Sequence, residues 1–173
     1  MNLRLARKEE FEAIRDFYWE LIDLMEDQKD TVAWQKGVYP ADDFLANSIE
    51  RGELYVLDRE GRIVASVVVN SAWNEGYEGL PWSIDCSPED ALVPHALGVY
   101  PKVQGQGIGK IIVADVIELA KSKGKKTVRL DILHGNVGAE KLYTSMGFKY
   151  VATKEMFYED TGWTEFHMYE LML

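Results

Sequence analysis

Three glycines at alternate positions, Gly105, Gly107 and Gly109, stand between two apolar stretches. The first stretch, residues 94–99, ends at Tyr100-Pro101 and reads as a strand. The second starts at Ile108 and reads as a helix, with Lys110, Asp115, Glu118 and Lys121 as its polar positions. A glycine-rich turn at a helix N-terminus is an anion site. Its amides have no intrahelical acceptor, the helix dipole adds partial positive charge, and the missing Cβ atoms let a phosphate come close. The spacing excludes two phosphate motifs. In the dinucleotide fingerprint G-x-G-x-x-G, counted from Gly105, the last glycine is replaced by Lys110. A Walker A loop would accept Gly109-Lys110, but Gln104 stands at its first glycine and Ile111 at its hydroxyl.

A second cluster lies downstream. Asn136-Val137-Gly138-Ala139-Glu140-Lys141-Leu142-Tyr143-Thr144-Ser145-Met146-Gly147-Phe148 has the form N-x-x-A-x-x-L-Y-x-x-x-G-F. Gln104-Gly105-Gln106-Gly107-Ile108-Gly109 has the form [QR]-x-x-G-x-[GA]. The two together resemble the signatures of the GCN5-related N-acetyltransferase (GNAT) superfamily. The resemblance implies acetyl-CoA as cosubstrate, no metal, and direct acetyl transfer to a primary amine. It places the CoA pyrophosphate on the amides of Gln104, Gly105, Gln106, Gly107, Ile108 and Gly109, with Lys110 adding a charge-assisted contact. It pairs the pantetheine arm with the backbone of Leu97, Gly98 and Val99, as an added strand would pair. A backbone N–H there would face the thioester carbonyl, and one such donor is typically worth about 3 kcal/mol. Asn136 and Ala139 fall on the second motif; Asn136 would bond the pantetheine, cap the helix at Val137, or both. Tyr143 matches the family's proposed general acid, a phenol that is protonated at neutral pH and can donate to the departing thiolate.

A substrate ammonium must also lose a proton. No Asp or Glu occurs between Val93 and Val99, but His95 does, and an unbroken strand would put it on the face of Leu97 and Val99. An imidazole is suited to accept a proton near pH 7, so His95 is the expected base, with Asp85, Glu89 and Asp90 as rivals. Trp34, Tyr39, Trp73 and Trp82, together with Asp85, are expected to wall a site for a small cationic amine.

The elements that must position these residues follow from periodicity. Residues 2–6 alternate like a strand. Phe11, Ile14, Phe17, Leu21 and Leu24 predict one apolar face of a helix over 8–25. Asp42 or Asp43 is expected to cap a short helix ended by Gly52. Residues 54–58 and 62–70 form a hairpin, and 71–90, with no clear period, form a long loop. After the central strand and helix come a strand over 126–132, a helix over 137–146 and strands over 148–158 and 164–173. This is the element order of the GNAT fold: one α/β domain over 1–173, a mixed, mostly antiparallel twisted sheet of about seven strands with a central parallel pair, and about four flanking helices.

Composition bounds the rest. Net charge is −10, from 19 basic and 29 acidic residues, which opposes sequence-independent nucleic-acid binding. No apolar run reaches membrane-spanning length, so no membrane partner is expected. The start Met1-Asn2-Leu3-Arg4 is too polar for a secretion signal, and the single cysteine, Cys86, suits a reducing compartment; the expected location is the cytoplasm. Many members of the family dimerise through terminal strands, and the apolar tail 168–173 permits a homodimer. Two other readings stay open: a non-catalytic acyl-CoA sensor on the same fold, and a nucleotide-binding α/β domain.

Overall fold

The computed structural model describes residues 3–25 and 33–173. Its strands are β1 (Arg4–Leu5), β2 (Leu54–Arg59), β3 (Arg62–Asn70), β4 (Ala91–Val99), β5 (Thr127–Leu133), β6 (Lys149–Tyr158) and β7 (Gly162–Met172). Its helices are α1 (Phe11–Met25), α2 (Asp42–Glu50), α3 (Ile108–Ser122) and α4 (Val137–Ser145). The strands form one open sheet in the order β1-β2-β3-β4-β5-β7-β6. Every neighbouring pair is antiparallel except β4 and β5. The expected mixed sheet, central parallel pair and four helices are all present. No helix among the described residues is long and apolar enough to cross a membrane.

Local chemistry explains most boundaries. α1 buries Ile14, Phe17, Tyr18 and Leu21 at helical spacing. It begins at Phe11 because Lys8–Glu10 is a 3₁₀ turn. α2 is capped by Ala41, which makes no side-chain bond, and not by Asp42 or Asp43. Those two acids occupy the first turn, where they favour the dipole instead. Glu60 and Gly61 both take positive φ, 53° and 77°, which suits the tight β2–β3 hairpin.

Two features of the sheet decide the site. First, β4 and β5 pair only at Ala91–Thr127 and Leu92–Val128, and then diverge. The facing edges of both strands are left free, and a wedge opens between them. Second, β4 carries a bulge. Gly98 pairs with Ser66 and His95 with Val68, so Ala96 and Leu97 together oppose Val67 alone. Ala96 takes φ +49°, the left-handed region, at a strain of about 1 kcal/mol. Its carbonyl accepts the Tyr18 hydroxyl at 2.7 Å.

Loop 71–90 has more order than its sequence suggests. It contains two 3₁₀ turns, Glu75–Tyr77 and Pro88–Asp90. It is fastened to the sheet by the buried pair Arg129–Glu170, 3.0 Å apart. Arg129 Nη2 donates to the Ile84 carbonyl at 2.6 Å, and Glu170 accepts the Ser83 amide at 2.7 Å. The rings of Trp73 and Trp82 lie over the Arg129 guanidinium at 5.4 and 4.4 Å. The expected dimer route also changes: β7 is paired on both sides, by β5 and β6, so the C-terminal segment has no free edge.

Breaking a buried ion pair strands the remaining charge. Glu170→Gln is therefore expected to lower the unfolding free energy in urea by about 3–5 kcal/mol. Arg129→Met with Glu170→Leu should recover most of that loss; equal destabilisation by the single and double variants would contradict it.

Candidate active site

A cleft of ≈ 840 Å³ runs through the wedge between β4 and β5. At one end lies the glycine-rich turn. Gly105 and Gly107 take φ of +75° and +81°, where an L side chain is strained, and a Cβ on Gly109 would sit 3.0 Å from Leu142 Cδ2. Among the described residues the amides of Gly107, Ile108, Gly109 and Lys110 have no backbone acceptor, as expected for the first turn of α3. Lys110 and Lys141 are the cationic side chains of this end. The cradle fits a pyrophosphate: open donors, a helix N-terminus, and no Cβ in the way. Gln106 does not line the cleft. Its Oε1 accepts Arg59 at 2.7 Å, which turns the side chain outward.

The middle of the cleft is the free edge of β4. The Tyr100 amide donates to Val64, across to β3. By alternation the polar groups of Val99 turn the other way, into the wedge. Gln104 Nε2 already donates to the Val99 carbonyl at 3.0 Å. Gly98 has a different duty from its neighbours. It faces α1, where a Cβ would lie 2.7 Å from Leu21 Cδ2. Asn136 caps α4 by accepting the Ala139 amide at 3.1 Å, and both residues line the cleft.

The far end is built from aromatic rings around one carboxylate. Phe17, Tyr18, Trp34, Tyr39 and Phe44 form a chain of ring contacts 5.2 to 6.1 Å apart. Trp34 and Tyr39 line the cleft from it, as expected. Trp73, Trp82 and Asp85 do not. The two indoles clamp Arg129 and pack on Tyr77, and Asp85 is exposed. A buried guanidinium outcompetes the cleft for those rings, because it brings both cation–π contact and apolar burial.

His95 lines the cleft, but on a different strand face from the one expected. The bulge breaks strand parity, so His95 shares a face with Gly98 and not with Leu97 and Val99. Its Nε2 lies 3.0 Å from Asn70 Oδ1, which also accepts the Ala72 amide. That oxygen only accepts, so Nε2 carries the hydrogen. Burial holds the imidazole below its ordinary pKa.

The carboxylate is Asp131, on β5 facing the cleft. It accepts the Tyr77 hydroxyl at 2.5 Å and the Tyr158 hydroxyl at 3.2 Å. Burial first, and the charge of Asp131 in addition, push the phenols of Tyr39, Tyr77, Tyr143 and Tyr158 above their ordinary pKa. All four are therefore neutral donors. Tyr143 lies at the edge of the same field, buried against Phe148 with ring centroids 5.2 Å apart. Sequence reasoning missed Asp131, Tyr158, Asp160 and Phe166, which also line the cleft. For Asp131 a signal existed. Residues 127–133, Thr-Val-Arg-Leu-Asp-Ile-Leu, hold two charges at alternate positions in an otherwise apolar strand.

The sequence matches the model of the acetyltransferase (GNAT) family over residues 12–148. The chain belongs to the GNAT acetyltransferase family. It is 30% identical over 87 residues to N-alpha-acetyltransferase RimI of Mycobacterium tuberculosis, covering 50% of this chain and 52% of that one. The chain thus spans about half the length of that relative. A GNAT-family acetyltransferase structure from Streptococcus agalactiae superposes with a TM-score of 0.83 at 19% identity, covering 99% of this chain and 95% of that one. yncA of Salmonella typhimurium, a structure with its cofactor acetyl-CoA, gives 0.71 at 20% identity over 100% and 94% of the two chains. These likenesses carry the fold.

The depressed His95 pKa has a measurable sign. The unfolded chain binds a proton at His95 below about pH 6.5 that the folded chain refuses, so stability falls as pH drops through 6.5. His95→Gln should flatten that part of the stability–pH curve in urea titrations; an unchanged slope would contradict it.

Proposed function

We propose that this chain is an N-acetyltransferase that moves an acetyl group from acetyl-CoA directly to the primary amine of a small molecule. The supporting observation is the continuity of the cleft. It leads from the amides of the glycine-rich turn, along the free edge of β4, to the Asp131 carboxylate. When bound, acetyl-CoA supplies an activated acyl carbon and a thiolate leaving group.

The residues divide the remaining work. Gly105, Gly107, Ile108, Gly109 and Lys110 hold the pyrophosphate, and the Val99 amide, turned into the wedge, donates to the acyl oxygen as negative charge develops there. Asp131 attracts the incoming ammonium and takes its proton, directly or across one water. His95 is left out of this step because burial disfavours the imidazolium that proton uptake would form. Tyr143, kept neutral by burial, donates to the thiolate as the carbon–sulfur bond breaks.

The relative's name speaks of an α-amine. A small acceptor fits this chain better, because Gln35 Nε2 donates to the Asp160 carbonyl at 2.8 Å. That bond ties the segment before α2 to the β6–β7 turn beside the acceptor end of the cleft.

Acetyl-CoA at a hundredfold over its Kd should stabilise the protein by about 2.7 kcal/mol in thermal or urea unfolding. Tyr143→Phe should keep that stabilisation and lose on the order of a hundredfold in kcat for free-thiol release with an amine. Undiminished turnover would remove Tyr143 from the reaction. Stabilisation with no thiol release from any amine in the wild-type chain would favour the acyl-CoA sensor.

A further inference from the structure

Charge is segregated along the cleft. Its ammonium side chains, Lys110 and Lys141, belong to the phosphate end, and its carboxylates, Asp131 and Asp160, belong to the acceptor end. Asp131 is the carboxylate assigned above to the reacting amine. Asp160 has no part in that step. It sits in the β6–β7 turn, lines the cleft beside Thr161, and has no ion-pair partner among the described residues. Burial raises its pKa, opposed by hydrogen bonds from the backbone at Asp160 and Thr161. Tyr39 lies within the electrostatic reach of both carboxylates. Its ring, with those of Trp34, Tyr158 and Phe166, supplies an apolar and π-rich wall at this end of the cleft.

A carboxylate set apart from the reacting one needs a second positive group on the acceptor. A free carboxylate or phosphate on the acceptor would meet only like charge here, since no described cationic side chain lines this end. A methylene chain between two ammonium groups matches both features: rings for the chain, one carboxylate for each end. We infer that Asp160 forms a second cation subsite, and that the acceptor is a linear aliphatic diamine or a longer polyamine. The inference rests on the acetyltransfer reading above. Asp131 takes the amine that reacts, and Asp160 binds the distal ammonium and sets the length of chain that is preferred.

The test measures kcat/KM with acetyl-CoA for 1,4-diaminobutane and for n-butylamine, then for diamines of two to six methylenes, with alanine as the carboxylate-bearing control. The expected ratio of diamine to monoamine is on the order of tenfold or more, carried by KM, with one preferred length in the series. Asp160→Asn should bring that ratio towards one, and Asp160→Glu should keep most of it. A wild-type ratio near one, a ratio unchanged in Asp160→Asn, or alanine used as well as the diamine would overturn the inference. The acetyl-CoA stabilisation of each variant is read in parallel, so a folding defect is recognised as such and Asp160→Glu then decides. Absence of that stabilisation in the wild-type chain, with no thiol release, would instead overturn the acetyltransfer reading and the subsite with it.

Discussion

The separation of β4 from β5 is the constraint on which this structure depends. Two parallel strands that stay paired have no free polar groups between them. Here the ladder stops after Ala91–Thr127 and Leu92–Val128, and the edges beyond are released. Each strand remains anchored on its other side, β4 by β3 and β5 by β7, so the wedge is held open without unravelling. The bulge at Ala96 belongs to the same arrangement. It re-aims the second half of β4 and puts Gly98 under α1. An unpaired strand edge is normally a liability. In this protein it lines a cleft whose two ends carry opposite charge.

The acceptor half is held by polar contacts from outside the family signatures. Asp131 is fixed by hydroxyls from loop 71–90 and from β6. The loop can supply Tyr77 because Arg129 and Glu170 fasten it to β5 and β7. Arg129 and Asp131 are two residues apart on one strand and face the same side. One stabilises the loop, and the other uses it. That coupling accounts for an ion pair with both side chains nearly inaccessible, an arrangement with a large desolvation cost and little gain in stability by itself.

Much of this was legible in the chain. The three glycines announced an anion cradle, because positive φ and missing Cβ atoms are properties of the residue and need no partner. α1, the β2–β3 hairpin and the order of elements followed from apolar spacing. Tyr143 and Asn136 were placed by the second motif. The face of His95 was misread for a physical reason. Strand parity carried His95 to the face of Leu97 and Val99, and a single extra residue in the β3–β4 register reversed it. Of the four rings expected to wall a site, Trp34 and Tyr39 line the cleft while Trp73 and Trp82 surround Arg129.

The sequence by itself determined the family, the glycine-rich turn and the place of Tyr143 on the second motif, because each depends on residues close together in the chain. Only the tertiary structure decided which carboxylates and which rings line the cleft. Asp131 meets Tyr77 and Tyr158 across 54 and 27 residues, and Trp82 meets Arg129 across a loop and a strand. Such pairings depend on where strands diverge, where one residue is bulged, and which buried charge claims a ring first. None of those has a local signature, so no reading of spacing alone could supply them.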